Sequence, residues 1–164
     1  MFTPEGRANP TPRKYVYAAR DRMDETYDRI RSVRDERYLY IRNFEPNLPY
    51  AQRVQYGELM PTMRVWREWN AEGKLKGPQT LFFRPTKPDE EFYETQSDPH
   101  QIHDLAKSTD PMHVEKMKEL RAALDSWLKE TNDLGAVPER ELIKRGIVRD
   151  VLGNYKDRKL PAGE

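Results

Sequence analysis

The strongest constraint on the fold lies late in the chain, from about Pro111 to Thr131. Asp110 stands where an N-cap belongs, and Pro111 occupies the first helical position. Val114, Met117, Leu120, Leu124, Trp127 and Leu128 recur at spacings of three and four. Glu115, Lys118, Glu119, Arg121, Asp125 and Lys129 take the opposite side. A helix with one apolar stripe needs an apolar surface to cover it, and packing on a sheet provides one.

Strand candidates for that sheet stand upstream. Lys14 to Arg20 is rich in Tyr and Val, Ile30 to Arg34 follows, and Arg37 to Asn43 forms a hairpin with it across Asp35-Glu36. The run Tyr38-Leu39-Tyr40-Ile41 has no polar alternate position, so both of its faces are expected to be covered at least in part. Asp21 to Arg29 reads as a charged loop or short helical turn. Phe44 to Tyr56 reads as a loop. A helix is expected from Pro61 to a stop at Gly73, with Met63, Trp66 and Trp69 in the core. Lys74 to Pro88 reads as extended, Glu91 to Thr95 as a short strand, and Ser97-Asp98-Pro99 as a turn. The fold class is therefore α+β. Residues 1–13 are an irregular lead-in, 14–134 the main unit, and 135–164 a tail with a short amphipathic segment around Leu142 to Val151.

Composition excludes several functions. With 29 basic and 28 acidic residues the net charge is +1, which gives no field for steering polyanions and argues against a nucleic-acid partner. No run approaches the length of a membrane span. There is no Cys, and Ser32, Ser97, Ser108 and Ser126 sit in no motif that would activate a nucleophile. His100 and His103 lie three apart beside Asp98 and Asp104, but a metal needs more ligands than that spacing secures, so a surface turn is the simpler reading. Met1 to Arg13 lacks the apolar segment of a signal peptide, so either the protein is not exported or its true N-terminus is missing.

The densest charge runs from Arg20 to Arg37, with six Arg interleaved with Asp and Glu. Arginine suits bidentate recognition of sulfate, phosphate or carboxylate, although mutual ion pairing in solvent also explains such a run.

Two segments resemble the C-terminal region of type I sulfatases, in the branch similar to N-sulfoglucosamine sulfohydrolase (heparan N-sulfatase). Arg31, Val33, Arg34, Arg37, Tyr38, Tyr40, Ile41 and Asn43 follow the family pattern R-x-V-R-x-x-R-Y-K-Y-I-x-N, with Leu39 in place of Lys. Glu90, Glu91, Tyr93, Asp98, Pro99, Leu105 and Ala106 follow P-x-E-E-L-Y-D-L-x-x-D-P-x-E-x-x-N-L-A. The resemblance implies a small antiparallel sheet of about four strands packed by the long terminal helix. It also implies that such a subdomain caps a larger N-terminal catalytic domain and shapes a pocket for a sulfated saccharide. In the family, hydrolysis of sulfate esters or sulfamates uses Ca²⁺ and a formylglycine made from a C/S-x-P-x-R motif, both in that N-terminal domain. This chain has no such motif, since Ser97-Asp98-Pro99-His100-Gln101 ends in Gln. The resemblance thus implies a truncated or split portion, inactive alone, from a family whose members are periplasmic, secreted or lysosomal. Arg20 and Arg22 become candidates for binding anionic sugar groups, Asp21 and Asp24 for accepting from hydroxyls, and Arg31 for bracing the hairpin. The alternative is a stand-alone, non-catalytic interaction module.

Overall fold

The computed structural model describes residues 13–23 and 25–149. Asp24, most of the lead-in and the end of the tail lie outside the described residues. The described chain up to Thr131 is one compact unit, and a second begins at Asn132.

The first unit is built on a four-stranded antiparallel meander of order β1-β2-β3-β4. Its strands are β1 (Val16–Met23), β2 (Thr26–Arg34), β3 (Tyr38–Asn43) and β4 (Glu90–Glu94). The expected loop from Asp21 to Arg29 is instead the continuation of β1 and β2 around a tight hairpin. Charge does not prevent pairing there, because β1 is an edge strand whose side chains can stay solvated, while on the inner strand β2 the buried Asp28 is paired with Lys87. A bulge lies in this stretch: Arg20 pairs with Ile30 and Arg22 with Tyr27, so Asp28 and Arg29 together oppose Asp21. At the next turn the Asp35 carboxylate accepts from the backbone N–H of Arg37 (2.9 Å) and Tyr38 (2.7 Å). Burial opposes the Asp35 charge, but these two donors and the Lys116 ammonium outweigh it and lower the pKa.

Pairing register defines the two faces of the sheet. Tyr17, Val33, Tyr40 and Phe92 stand opposite one another across all four strands. Strand periodicity puts Tyr38 on the same face. Against this row packs a long helix, Pro111–Glu130, through Met117, Leu120 and Leu124. Trp127 stacks on Tyr17 with ring centroids 5.0 Å apart. Asp110 caps the helix by accepting from Met112 N–H at 2.8 Å. The helix closes at Thr131, where the sequence places its end, with Asn132 at φ 49°. Val114, expected on the buried stripe, is exposed.

The other face carries the row Ala18, Ser32, Ile41 and Glu91. Its cover comes from the segment between β3 and β4. That segment holds a single helical turn α1 (Gln55–Glu58), helix α2 (Pro61–Ala71) and a 3-10 stretch (Gly77–Phe83) where an extended chain was expected. Gly77, at φ 54°, lets the chain reverse into that stretch, and Pro78 starts it. The long helix is α3 in this order. Helix α2 has no buried residue and is held by Arg67, which pairs with Glu58 at 2.6 Å and donates to the carbonyls of Ala51 and Gln52. Trp66 stacks on Phe82 at 4.8 Å, whereas Trp69 is 46% exposed and so is not the core residue expected.

The second unit contains α4 (Glu139–Lys144), where Arg145 pairs with Glu141 at 2.9 Å. This helix begins before the amphipathic stretch expected around Leu142 to Val151, whose end lies outside the described residues. No described helix is long and apolar enough to cross a membrane.

Candidate functional site

The structure separates the arginine-rich candidates. Arg31 is buried and acts on its own hairpin: Nη1 donates to the carbonyls of Arg20 (3.0 Å) and Ile30 (2.9 Å), and Nη2 to Asp21 Oδ1 (2.7 Å). It therefore braces the bulged stretch where β1 and β2 fall out of step. Asp21 is committed to that brace. Arg22 is exposed near the hairpin tip, where Nη1 donates to the Glu25 carbonyl at 3.3 Å. Arg20 pairs in register with Ile30, so strand geometry directs these two neighbours to the same face. Of the four predicted binding residues, Arg20, Asp21 and Arg22 are thus consecutive on one strand end with alternating orientation, and Asp24 lies outside the described residues.

A second site is the concavity of about 600 Å³ on the open face of the sheet. Its walls are mainly apolar, from Ile30, Ile41, Trp66, Leu81, Phe82 and Ile102. Glu91 supplies a carboxylate, which accepts from Asn43 Nδ2 (2.7 Å), Tyr50 O–H and Tyr93 O–H (2.6 Å). Burial, then the Glu91 charge, raises the pKa of both tyrosines, so the hydroxyls stay protonated and remain donors. The Asn43 amide also donates to the Pro88 carbonyl at 2.8 Å. Two acceptors therefore fix the Asn43 amide orientation, and its Oδ1 is left buried without a partner. Behind this group a buried ion pair joins Lys87 Nζ to both oxygens of Asp28, at 2.9 and 2.8 Å. It fixes the segment entering β4, whose Lys87 N–H also reaches the Pro46 carbonyl.

Asn43, Glu91 and Tyr93 were visible as matches to the sulfatase patterns, but nothing in the patterns ties them to one carboxylate. Asp28 belongs to the charged run Arg20 to Arg37 and Lys87 stands just before the second family pattern, but nothing in the sequence joins the two.

Neither site contains an activated nucleophile. Ser108 Oγ lies 2.9 Å from His113 Nδ1, but it also accepts from Asp110 N–H and serves the start of α3. His100 and His103 flank a turn organised by Asp98, whose Oδ2 accepts from the N–H of Ile102 and His103. Among the described residues no group of three or more His, Asp or Glu could hold a metal ion.

Sheet, packing helix and polar anchors together define a small α+β module, and its sequence is related to a part of known sulfatases. Over 140 residues it is 41% identical to an ulvan-active sulfatase of Formosa agariphila, a match that spans 85% of this chain and 23% of that protein. A second ulvan-active sulfatase of that organism is 28% identical over 123 residues, 73% of this chain and 22% of that protein. The chain thus spans less than a quarter of the length of the curated relatives it matches. Among solved structures, a candidate sulfatase from Bacteroides thetaiotaomicron aligns with a TM-score of 0.44 and 20% identity, over 77% of this chain and 18% of that one. No family model matches the sequence.

Proposed function

We propose that this chain is the C-terminal portion of a sulfatase that hydrolyses sulfate esters or sulfamates of a sulfated saccharide. The single observation that carries the reading is the 41% identity over 140 residues to an ulvan-active sulfatase. The pattern around Arg31 to Asn43 and Glu90 to Ala106 supports it. The motif likeness to the N-sulfoglucosamine sulfohydrolase branch and the relatives' names point to different saccharides, so the proposal stops at a sulfated sugar.

In this reading the chain's part is binding and shaping. Formylglycine, the nucleophile, and Ca²⁺, which would polarise the sulfuryl group, come from an N-terminal catalytic domain. Arg22 approaches an anionic sugar group as a fork of N–H donors. Arg31 and Asp21 keep the strand end that carries it rigid. A displaced charge at that position would lose its geometry, which is why a buried arginine is spent on the scaffold.

The test is a chimera in which this chain replaces the matching segment of the ulvan-active sulfatase from Formosa agariphila. Sulfate release from ulvan by the chimera, and none from the chain alone, is the expected result. Arg22→Ala in the chimera should then lower kcat/KM by ~10-fold, the worth of one charge-assisted hydrogen bond. A chimera that folds but releases no sulfate would instead favour a separate interaction module.

A further inference from the structure

We infer that Arg53 joins Arg22 as a second cation at the end of the β1–β2 hairpin, and that this site selects a saccharide carrying two anionic groups: a sulfate, and beside it a second sulfate or a carboxylate. The inference rests on the sulfatase reading and deepens it, since it adds a specificity-determining residue and the charge pattern of the ligand. Three hydrogen bonds bring the two arginines to one place. Thr26, buried next to the hairpin turn, donates its hydroxyl to the Arg53 carbonyl at 2.5 Å, across 27 residues of sequence. Glu25 accepts from the N–H of Gln55, the first residue of α1, at 2.7 Å. Arg22 donates to the carbonyl of the same Glu25.

The fold spends its other arginines internally: Arg31 on Asp21, Arg37 on Glu94, Arg42 on Asp125, Arg67 on Glu58 and Arg121 on Glu90. Arg53 is different. Its backbone is anchored by a buried hydroxyl, while its side chain is exposed and has no ion pair or hydrogen bond among the described residues. The acidic side chains described at this end are already engaged, Asp21 by Arg31 and Glu25 by the Gln55 N–H. Two guanidinium groups held at one end of a hairpin repel each other, and a ligand with two negative charges removes that repulsion. A singly charged ligand removes only part of it. Each guanidinium offers a fork of N–H donors, which suits sulfate and carboxylate oxygens alike.

The experiment uses the full chain and two disaccharides, one with a single sulfate and one with a sulfate and a carboxylate. Binding is followed through the arginine Nε–H signals in NMR titrations. The doubly charged disaccharide should bind about 5-fold more tightly, the upper range of an exposed ion pair. Arg53→Ala should abolish that preference, whereas Arg64→Ala, which removes an exposed arginine of α2, should keep it. Thr26→Val leaves Arg53 in place but frees its carbonyl, so the preference should shrink, and Thr26→Ser should restore it. Circular dichroism of each variant confirms that the fold is retained. A preference that survives Arg53→Ala overturns the inference, as does equal affinity for the two disaccharides or the absence of binding by either. An equal loss in Arg64→Ala overturns it too, because charge in general would then be the cause. The chimera separates this inference from the reading beneath it. An active chimera built on a chain without the preference sinks the inference alone. An inactive chimera built on a chain that shows it leaves the anion site standing and removes the sulfatase reading.

Discussion

The two faces of the sheet are finished to different degrees. On one, the row Tyr17, Val33, Tyr40 and Phe92 meets Met117, Leu120 and Leu124 in a closed apolar layer. On the other, the row Ala18, Ser32, Ile41 and Glu91 ends in a concavity that Trp66 and Phe82 only partly roof. The closed face gains stability from burial without direction. The open face relies on directional groups: a carboxylate with three donors and a buried ion pair nearby.

The sharpest way to break that contrast is Lys87→Met. It removes the counter-ion of Asp28 while the carboxylate stays buried, which should cost about 3–5 kcal/mol in urea unfolding. Adding Asp28→Leu should restore most of the loss, because an apolar pair needs no compensation. If Lys87→Met were neutral, the ion pair would not be what holds the segment entering β4.

Next in size is a paired truncation. Leu124→Ala, on the closed face, should destabilise by about 2–5 kcal/mol, since a fully buried side chain leaves a cavity. Ile41→Ala, on the open face, should cost about 1 kcal/mol, because its half-buried side chain already borders solvent. Equal losses in thermal unfolding would mean that both faces are closed in solution.

Acid should loosen the closed face through two of its carboxylates. Glu119 is held at about 2, well below its ordinary 4.5, by Lys116, Tyr15 and Lys14, and Glu90 is lowered by Arg121. Both bind fewer protons folded than unfolded, so their contribution is fully present above about pH 4.5 and is lost as pH falls toward about 2. Near-UV dichroism from the stacked Tyr17 and Trp127 should fade over that window. Glu119→Gln should flatten the fade, and an unchanged acid profile would remove Glu119 from the account.

How much of this could be read in advance followed the range of each interaction. Helix α3 was legible because its cap and stripe repeat within a few residues. β3 and β4 were legible to within a residue because aromatic and β-branched side chains cluster there. The continuation of β1 and β2 through Arg22 and Asp28 was not, since an edge strand tolerates charge and its pairing is set by the neighbouring strand. The open-face anchors were hidden for a further reason: Lys87 and Asp28 are 59 residues apart. Arg31 could be proposed as a brace, but its grip on Asp21 depends on the bulge that no local pattern announces.

The smallest effect separates two tryptophans that the sequence treats alike. Trp66 and Trp69 are three positions apart on α2, which places them about 60° from each other around the helix. Trp66 falls against Phe82 and Phe83 and roofs the concavity. Trp69 falls outside that contact and stays 46% exposed. Trp69→Ala should therefore change unfolding free energy by no more than about 0.5 kcal/mol, the range of ordinary surface substitutions. Trp66→Ala should cost clearly more, because it removes an aromatic stack as well as buried area. If the two losses proved equal in thermal melts, Trp69 would have a partner within the chain, and the roof of the open face would extend across α2.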